Sequence, residues 1–479
     1  MCNGDSIVTT YTTTQGSLII PAPTQNGIYY LFNVQCYYVE ENVPPYQSGL
    51  RYSIIDMNLN NGNGCVTEKN ILLIDTLMTE KLQAVKHANG KDWWIITHRQ
   101  GDSNTYYKYL LTKYGLQGPF KQDIGASVFV PSYSAGQMKF SLDGTKMAFV
   151  DGAGIFEVYE FDRCTGALSL YADLSNMNIY PYYAYYGCEF SPNGRFVYLT
   201  PLASYFTPDM AIFQYDLSSD DILSSKKEIY HYSPPDTVSF PVYFGQLQLA
   251  PNGKIYCAIW HGAPLIYPGQ YTYYLISINN SNEDFPNCSV TLHGIDLLGS
   301  STWGLPNMPN YNLGPIIPPT AKAEGSARIC AGQPVQLQAV SCNTCIYDWQ
   351  PAEYLSNANM ANPIATVNAT TTFTLTVTDT SIHASCNKTS TDTVTVFVTD
   401  ITPAIQNLYV VSAGDEIFIL QDLQPNTSLE VINVNGQRVY QTDNYQNDLE
   451  LKNLAAGMYY YKMNLPDCYR VERKLVVVR

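Results

Sequence analysis

Along the first two-thirds of the chain one pattern of apolar and polar positions recurs: an apolar residue, a short polar turn ending in Asn-Gly or Asp-Gly, and an unbroken apolar run. It reads Phe190-Ser191-Pro192-Asn193-Gly194-Arg195-Phe196-Val197-Tyr198-Leu199, and returns from Phe140 to Phe149 and from Leu249 to Ala258. Weaker copies run from Lys86 to Ile95 and from Ala22 to Leu31. The Asn-Gly and Asp-Gly pairs predict two-residue hairpin turns, which need positive φ angles. A run apolar at successive positions must be covered on both faces, so these strands predict sheets stacked on either side. The strong copies begin 50 and 59 residues apart, somewhat more than a four-stranded propeller blade takes. Radial stacking of such units is a β-propeller.

Between the turns lie the expected outer strands: Ile155–Phe161, Ala211–Leu217 and Tyr271–Ile278. Thr79–Lys86 has helical propensity, but its place just before a turn copy makes it a strand. Trp303–Tyr311 reads as one last inner strand. After the proline-rich stretch Gly314-Pro315-Ile316-Ile317-Pro318-Pro319-Thr320 the apolar positions alternate, as in half-buried strands: Val335–Val340, Tyr347–Trp349, Thr372–Thr378 and Thr393–Val398. A third unit holds the hairpin Leu429–Tyr440 around Asn435-Gly436, then Leu454–Lys462 and Val471–Val478. The expected fold class is therefore all-β: a propeller over 1–313, a linker over 314–320, an immunoglobulin-like sandwich over 321–400, and a small C-terminal β-sandwich over 404–479.

Composition agrees. The 479 residues suit several domains, only 14% are charged, and 40 are tyrosine. A net charge of −15 argues against nucleic acid and anionic membrane as partners. No apolar run is long enough for a transmembrane helix. The 12 cysteines are scattered, and only Cys342-Asn343-Thr344-Cys345 has metal-like spacing. A local Cys342–Cys345 disulfide is favoured over zinc there, and a Cys330–Cys386 disulfide is expected to clamp the sandwich, both fitting an oxidising location. Met1 to Ser6 has neither a basic start nor an apolar core, so an exported chain beginning here reads as a mature or shortened form. The propeller is accordingly expected to be incomplete or unusually closed.

Catalytic motifs are not found: there is no G-x-S-x-G, no H-E-x-x-H, and the six histidines are far apart. No catalytic residue, metal or cofactor is assigned. Asn58–Gly64 lacks the carboxylates of a calcium loop. Two features suggest binding. Tyr180-Pro181-Tyr182-Tyr183-Ala184-Tyr185-Tyr186 offers flat faces with hydroxyls, suited to stacking on sugars or gripping protein, with inter-blade packing as the plainer alternative. His261 follows Trp260 where a buried strand leaves for a loop. Tyr182, Tyr183, Tyr185 and His261 are the candidate ligand-binding residues.

The last unit resembles the type A C-terminal sorting domain of the Bacteroidetes type IX secretion system. The resemblance rests on "VINVNGQRVY" with Gly436, "LAAGMYYYKM" with Gly457 and the ending "RKLVVVR" with Lys474. It implies that Gly436, Gly457 and Lys474 belong to an address read by the secretion machinery at the outer membrane, which takes the protein from the periplasm to the surface or medium. Val476–Val478 is expected to form a terminal strand whose edge that machinery docks. The 321–400 region looks like the PKD/Ig-like modules of such proteins, through "ICAGQPVQLQA", "YDWQPAEYLSN" and "TTTFTLTVTD". The front is similar to their propeller-like regions, through "GSLIIPAP", "EKLQAVKHANGKDWWII" and "WGLPNMPNYNLG". Together these imply a secreted or surface binding and adhesion protein with the propeller as platform, its glycan or protein ligand unnamed. The alternative is a secreted hydrolase or lyase acting on polysaccharide or peptide at the propeller mouth.

Overall fold

A computed structural model describes residues 1–9, 13–35, 49–101, 103–128, 134–176, 184–202, 210–233, 242–261, 273–380, 386, 388–398, 409–412, 426–446, 449, 454–464 and 470–478. Its contacts divide the chain into two compact units, one of 1–317 with 383–386, the other of 318–382 with 387–479.

In the first unit twenty described strands form five four-stranded sheets, each made of consecutive strands. The first holds β1 (Ser17–Pro21), β2 (Ile28–Gln35), β3 (Gly49–Asp56) and β4 (Cys65–Ile74). The second holds β5 (Met78–Lys86), β6 (Trp93–Arg99), β7 (Thr105–Thr112) and β8 (Gly115–Asp123). The third holds β9 (Met138–Phe140), β10 (Lys146–Val150), β11 (Phe156–Phe161) and β12 (Leu168–Asp173). The fourth holds β13 (Ala184–Phe190), β14 (Phe196–Leu202), β15 (Met210–Asp216) and β16 (Lys227–Tyr232). The fifth holds β17 (Val242–Leu249), β18 (Ile255–His261), β19 (Tyr274–Asn279) and β20 (Ser289–Asp296). This is the expected propeller, and Thr79–Lys86 is indeed strand.

The recurring turn is built otherwise than its dipeptide suggests. A two-residue turn of that kind needs positive φ at both central residues. Here only the glycine has it: φ is 72° at Gly144 and 69° at Gly194, while Asp143 and Asn193 keep negative φ. The loop is longer and closed by side chains. Ser141 Oγ donates to Asp143 Oδ1 (2.6 Å) and accepts from Lys146 N (2.9 Å). Ser191 repeats this with Asn193 and Phe196. The serine two before the Asp or Asn is therefore part of the turn.

Four buried clusters fill the four successive blade interfaces. Phe32, Met78 and Trp93 join blades one and two, and Trp94, Phe149 and Tyr159 join two and three. Phe156, Cys188 and Tyr215 join three and four, and Tyr198, Phe244 and Ile276 join four and five. Between the fifth blade and the first the described links are polar. They run through Gln246, which donates to Thr14 O, and through residues 303–316, of which the sequence presents Trp303–Tyr311 as a last inner strand. That expectation is corrected: 303–311 forms no ladder. It is an extended strap passing along the inner edges of the blades, held mainly by side chains. Gln246 N donates to Trp303 O (2.9 Å) in blade five, and Asn307 Nδ2 donates to Ser17 O (3.2 Å) and Leu82 O (2.8 Å) in blades one and two. Tyr311 OH donates to Ile19 O (2.7 Å), Asn310 Nδ2 to Leu142 O (2.8 Å), and Ile316 N to Ala88 O (2.8 Å). Prolines at 306 and 309 remove two backbone donors, which is why the strap cannot pair as a strand.

In the second unit, β21 (Ala323–Glu324), β22 (Ala327–Ile329), β23 (Pro334–Gln336), β24 (Gln338–Ala339), β25 (Cys345–Gln350), β26 (Ile364–Thr366), β27 (Thr371–Asp379) and β28 (Thr389–Val398) form three small sheets. Their core closes over Trp349, Phe373 and Leu375. β29 (Tyr409–Ser412), β30 (Ser428–Asn433), β31 (Arg438–Thr442), β32 (Gly457–Asn464) and β33 (Arg470–Val478) form one sheet in the order β29-β33-β32-β30-β31. The terminal strand is thus not an edge: β33 pairs with β32 on one side and with β29 on the other. Alternate residues of it, Leu475 and Val477, point into the core.

Disulfides join Cys342 to Cys345, as expected, and Cys2 to Cys65. The Cys330–Cys386 pairing is corrected, because Cys386 is bonded to Cys164, 222 residues earlier. Cys330 is disulfide-bonded as well. Sequence spacing does not fix connectivity.

Candidate functional site

The inner strands are joined to one another by buried glutamines in register. Gln83, Gln137 and Gln246 each stand seven positions before their turn glycine. Each side-chain amide both donates and accepts, so it can replace a ladder rung between strands too far apart to pair. Gln137 Oε1 accepts from Cys188 N (3.1 Å) and Leu247 N (2.9 Å), and its Nε2 donates to Leu247 O (3.1 Å), tying blade three to four and five. Gln246 donates to Thr14 O and accepts from Leu305 N (2.7 Å). Gln15, just before β1, makes a two-bond pair with Met138. Asn307 of the strap also accepts from Gln15 Nε2 (3.3 Å) and Gln83 Nε2 (3.0 Å), so both oxygen and nitrogen of its amide are used twice. Blade four has Gly187 at the glutamine position, where a Cβ would come within 2.5 Å of Gly245 O.

Two ion pairs join blades beside these glutamines. Lys81 Nζ lies 3.1 Å from Asp151 Oδ2, both side chains fully buried, and donates to Ser134 O (2.7 Å). Lys139 Nζ lies 3.3 Å from Glu189 Oε2, which accepts from Leu249 N. Burial raises the Asp151 carboxyl above its ordinary value, with Lys81 opposing. Burial, with Lys81 nearby, pushes the His98 imidazole down to about 3. Its ring packs on Tyr106 and Phe149, and Nδ1 has no hydrogen-bond partner. Burial likewise raises the Glu157 carboxyl, which accepts from Tyr159 OH (2.5 Å) and Ala126 N (2.8 Å). These perturbed groups serve the blade interfaces.

Where β13 and β17 begin, the side chains are aromatic. Tyr243 and Trp260 are partners across β17 and β18, with ring centroids 5.5 Å apart and planes at 21°. Trp303 of the strap joins them, 5.5 Å from Tyr243 at 13° and 5.2 Å from Trp260. Tyr186 packs edge-on against Trp303 at 5.2 Å. Tyr186 and Tyr243 are buried, whereas Trp260 and Trp303 are half-buried.

Of the residues singled out from the sequence, Tyr182 and Tyr183 lie outside the described residues. Tyr185 is buried in the interface of blades three and four, edge-on to Phe156 at 6.0 Å, which is the packing alternative. His261 ends β18 opposite Val242, beside this cluster. The structure therefore brings the tyrosine run and the Trp260–His261 step to one place, but through Tyr186 and Trp260. Trp303 was missed because the strap was read as a strand. Cys342, Cys345 and Asp379 form a metal-like group among the described residues, but the two sulfurs are bonded to each other and Asp379 Oδ1 accepts from Thr344 Oγ1 (2.8 Å). Gly436 turns the β30–β31 hairpin with φ 76°, Gly457 opens β32, and Lys474 lies opposite Tyr460.

Residues 403–478 match the family described as the secretion system C-terminal sorting domain. No curated protein matches the chain in sequence. Among solved structures it is similar to the periplasmic gluconolactonase PpgL of Pseudomonas aeruginosa (12% identity over 80% of this chain and 86% of that one, TM-score 0.37). It is also similar to the β-propeller domain of Cps50 (Swd1) from Myceliophteria thermophila, of which it spans 63% with half of its own length (9%, TM-score 0.30). A third is a putative 6-phosphogluconolactonase from Bacteroides uniformis (8% over 58% of this chain and 84% of that one, TM-score 0.29). Likeness this distant says nothing of activity.

Proposed function

We propose that this is an exported binding protein, carried out by its sorting domain, with the propeller as a non-catalytic recognition platform and the 321–400 region as a PKD/Ig-like spacer. The observation that carries the reading is the aromatic cluster beside the starts of β13 and β17, where Trp260 and Trp303 are half-buried while the paired Lys81, Asp151, Lys139 and Glu189 are engaged between blades. Aromatic side chains held rigidly at a surface are what recognition sites are made of, since little entropy is lost when a ligand covers them.

The test is a glycan and surface-protein array probed with the full chain, followed by Trp260→Ala. Retention of a ligand that the variant loses supports the reading. Turnover of a glycoside, lactone or peptide by the full chain, lost on changing His261, would replace it with the hydrolase or lyase alternative.

A further inference from the structure

We infer that the Cys164–Cys386 disulfide is a redox latch, which a dithiol opens without unfolding the propeller and whose opening leaves residues 314–320 to carry the chain beyond. The contacts assign residues 383–386 to the first unit, although the chain on either side of them, 318–382 and 387–479, belongs to the second. The described bond that fixes Cys386 there is the one to Cys164, 222 residues earlier.

The turn that carries Cys164 is held independently of that bond. It closes through Gly166 N to Asp162 O (2.7 Å) and Cys164 N to Asp162 Oδ1 (2.8 Å). Trp94 Nε1 donates to Arg163 O (3.0 Å), which fixes the turn against blade two. The buried Arg163 donates to His87 O (3.2 Å) and to Gly314 O (2.6 Å). The chain therefore leaves the unit at 317 and returns at Cys386 over two adjacent residues, Arg163 and Cys164. The first fastening is made of hydrogen bonds, the second of a bond that thiols reverse.

The other two described pairs are not placed to switch anything. Cys2 is also held through its backbone, Cys2 N donating to Gly64 O (2.9 Å) and Val66 N to Cys2 O (3.0 Å). Its sulfur therefore stays beside Cys65, and the bond re-forms at high effective concentration. Cys342 and Cys345 are three residues apart, so opening that pair frees no segment. Cys164 and Cys386 are only half-buried, within reach of a dissolved dithiol. Cys188 and Cys257 are fully buried, and burial raises their thiols, to about 12 at Cys257, so neither supplies the attacking thiolate. The reductant is then external. One of its thiolates attacks a sulfur of the pair and expels the other as thiolate, and its second thiol resolves the mixed disulfide. Two electrons and two protons pass to the cysteines, and the dithiol becomes a disulfide.

The test uses the full chain with a site-specific protease sequence inserted between Ile317 and Pro318. Cut without reductant, it should elute from gel filtration as one species. Millimolar dithiothreitol should split it in two, the propeller piece keeping its circular dichroism spectrum. Cys164→Ser should split on cutting alone. Alkylation read by mass spectrometry should label Cys164 and Cys386 at least about fivefold faster than Cys2 and Cys65. Pieces that stay together after reduction, or a Cys164→Ser chain that stays whole when cut, overturn the latch. So do labelling no faster than at Cys2 and Cys65, and loss of the propeller's spectrum on reduction, which would make the bond a staple of the fold.

Discussion

Replacing His98 with leucine should remove most of an acid sensitivity built into the second blade. The imidazole is fully buried, packed 4.6 Å from Tyr106 and 5.1 Å from Phe149, and burial holds its folded value at about 3 against roughly 6.5 in an unfolded chain. With the folded value depressed, the unfolded state takes up the proton first. The stabilisation is therefore complete above about pH 6.5 and is lost as pH falls toward 3. Between pH 7 and pH 5 the unfolded imidazole becomes almost wholly charged while the folded one stays neutral, which amounts to about 2 kcal/mol from this one group. Leucine keeps the apolar contacts and has nothing to titrate. Urea unfolding at both pH values, followed by the emission of the nearby Trp93 and Trp94, gives the comparison. Carboxylates such as Asp151 contribute equally to both proteins and cancel in the difference. Wild type should lose about 2 kcal/mol more than His98→Leu on going from pH 7 to pH 5. Equal losses within about 0.5 kcal/mol, or an imidazole titrating near 6.5 in the folded protein by NMR, would refute the reasoning.

Asn307→Ala removes a side chain that makes four hydrogen bonds to blades one and two, and should cost about 2–4 kcal/mol in urea unfolding; a cost under about 0.5 would mean the strap is not held there. Lys81→Met leaves Asp151 buried without its cation and should cost about 3–5 kcal/mol, most of it recovered in Lys81→Met with Asp151→Leu, as read by thermal unfolding. Gly436→Val should destabilise the C-terminal sheet by about 1–2 kcal/mol through backbone strain alone, because a Cβ there meets nothing within 4 Å; Gly436→Asn should cost much less. Lys474→Glu, on the half-exposed face of β33, should leave the sheet folded by circular dichroism yet hold the protein in the periplasm, and normal appearance in the medium would count against its role in the address.

What was legible in the sequence was whatever local chemistry dictates. Apolar runs after each Asn-Gly or Asp-Gly gave the second strand of each blade, and the place of Thr79–Lys86 in that repeat outweighed its helical propensity. Gly436 was readable because a hairpin turn there requires positive φ. Relations between distant residues were not legible. Nothing near Cys164 points to Cys386, and the repeated Gln83, Gln137 and Gln246 show their use only when three inner strands stand side by side. The repeat did contain that signal, since a polar residue recurs where a strand buried on both faces should be apolar. Trp303–Tyr311 failed for a local reason. Its apolar spacing mimics a strand, while Pro306 and Pro309 deny it the donors a ladder needs.

The strap also sets the order in which the fold can be finished. Asn307 bonds to residues 290 and 225 positions earlier, so contacts among the longest in the unit are made by one of its last segments to be synthesised. During synthesis all five sheets can form before residues 303–316 emerge, with Gln83 Nε2 and Gln246 Oε1 still without their strap partners. Closing so long a loop is slow, and until it happens the blades are free to part between the fifth and the first. A chain released at residue 302 would hold every propeller strand described here and still lack the piece that makes the ring a closed object.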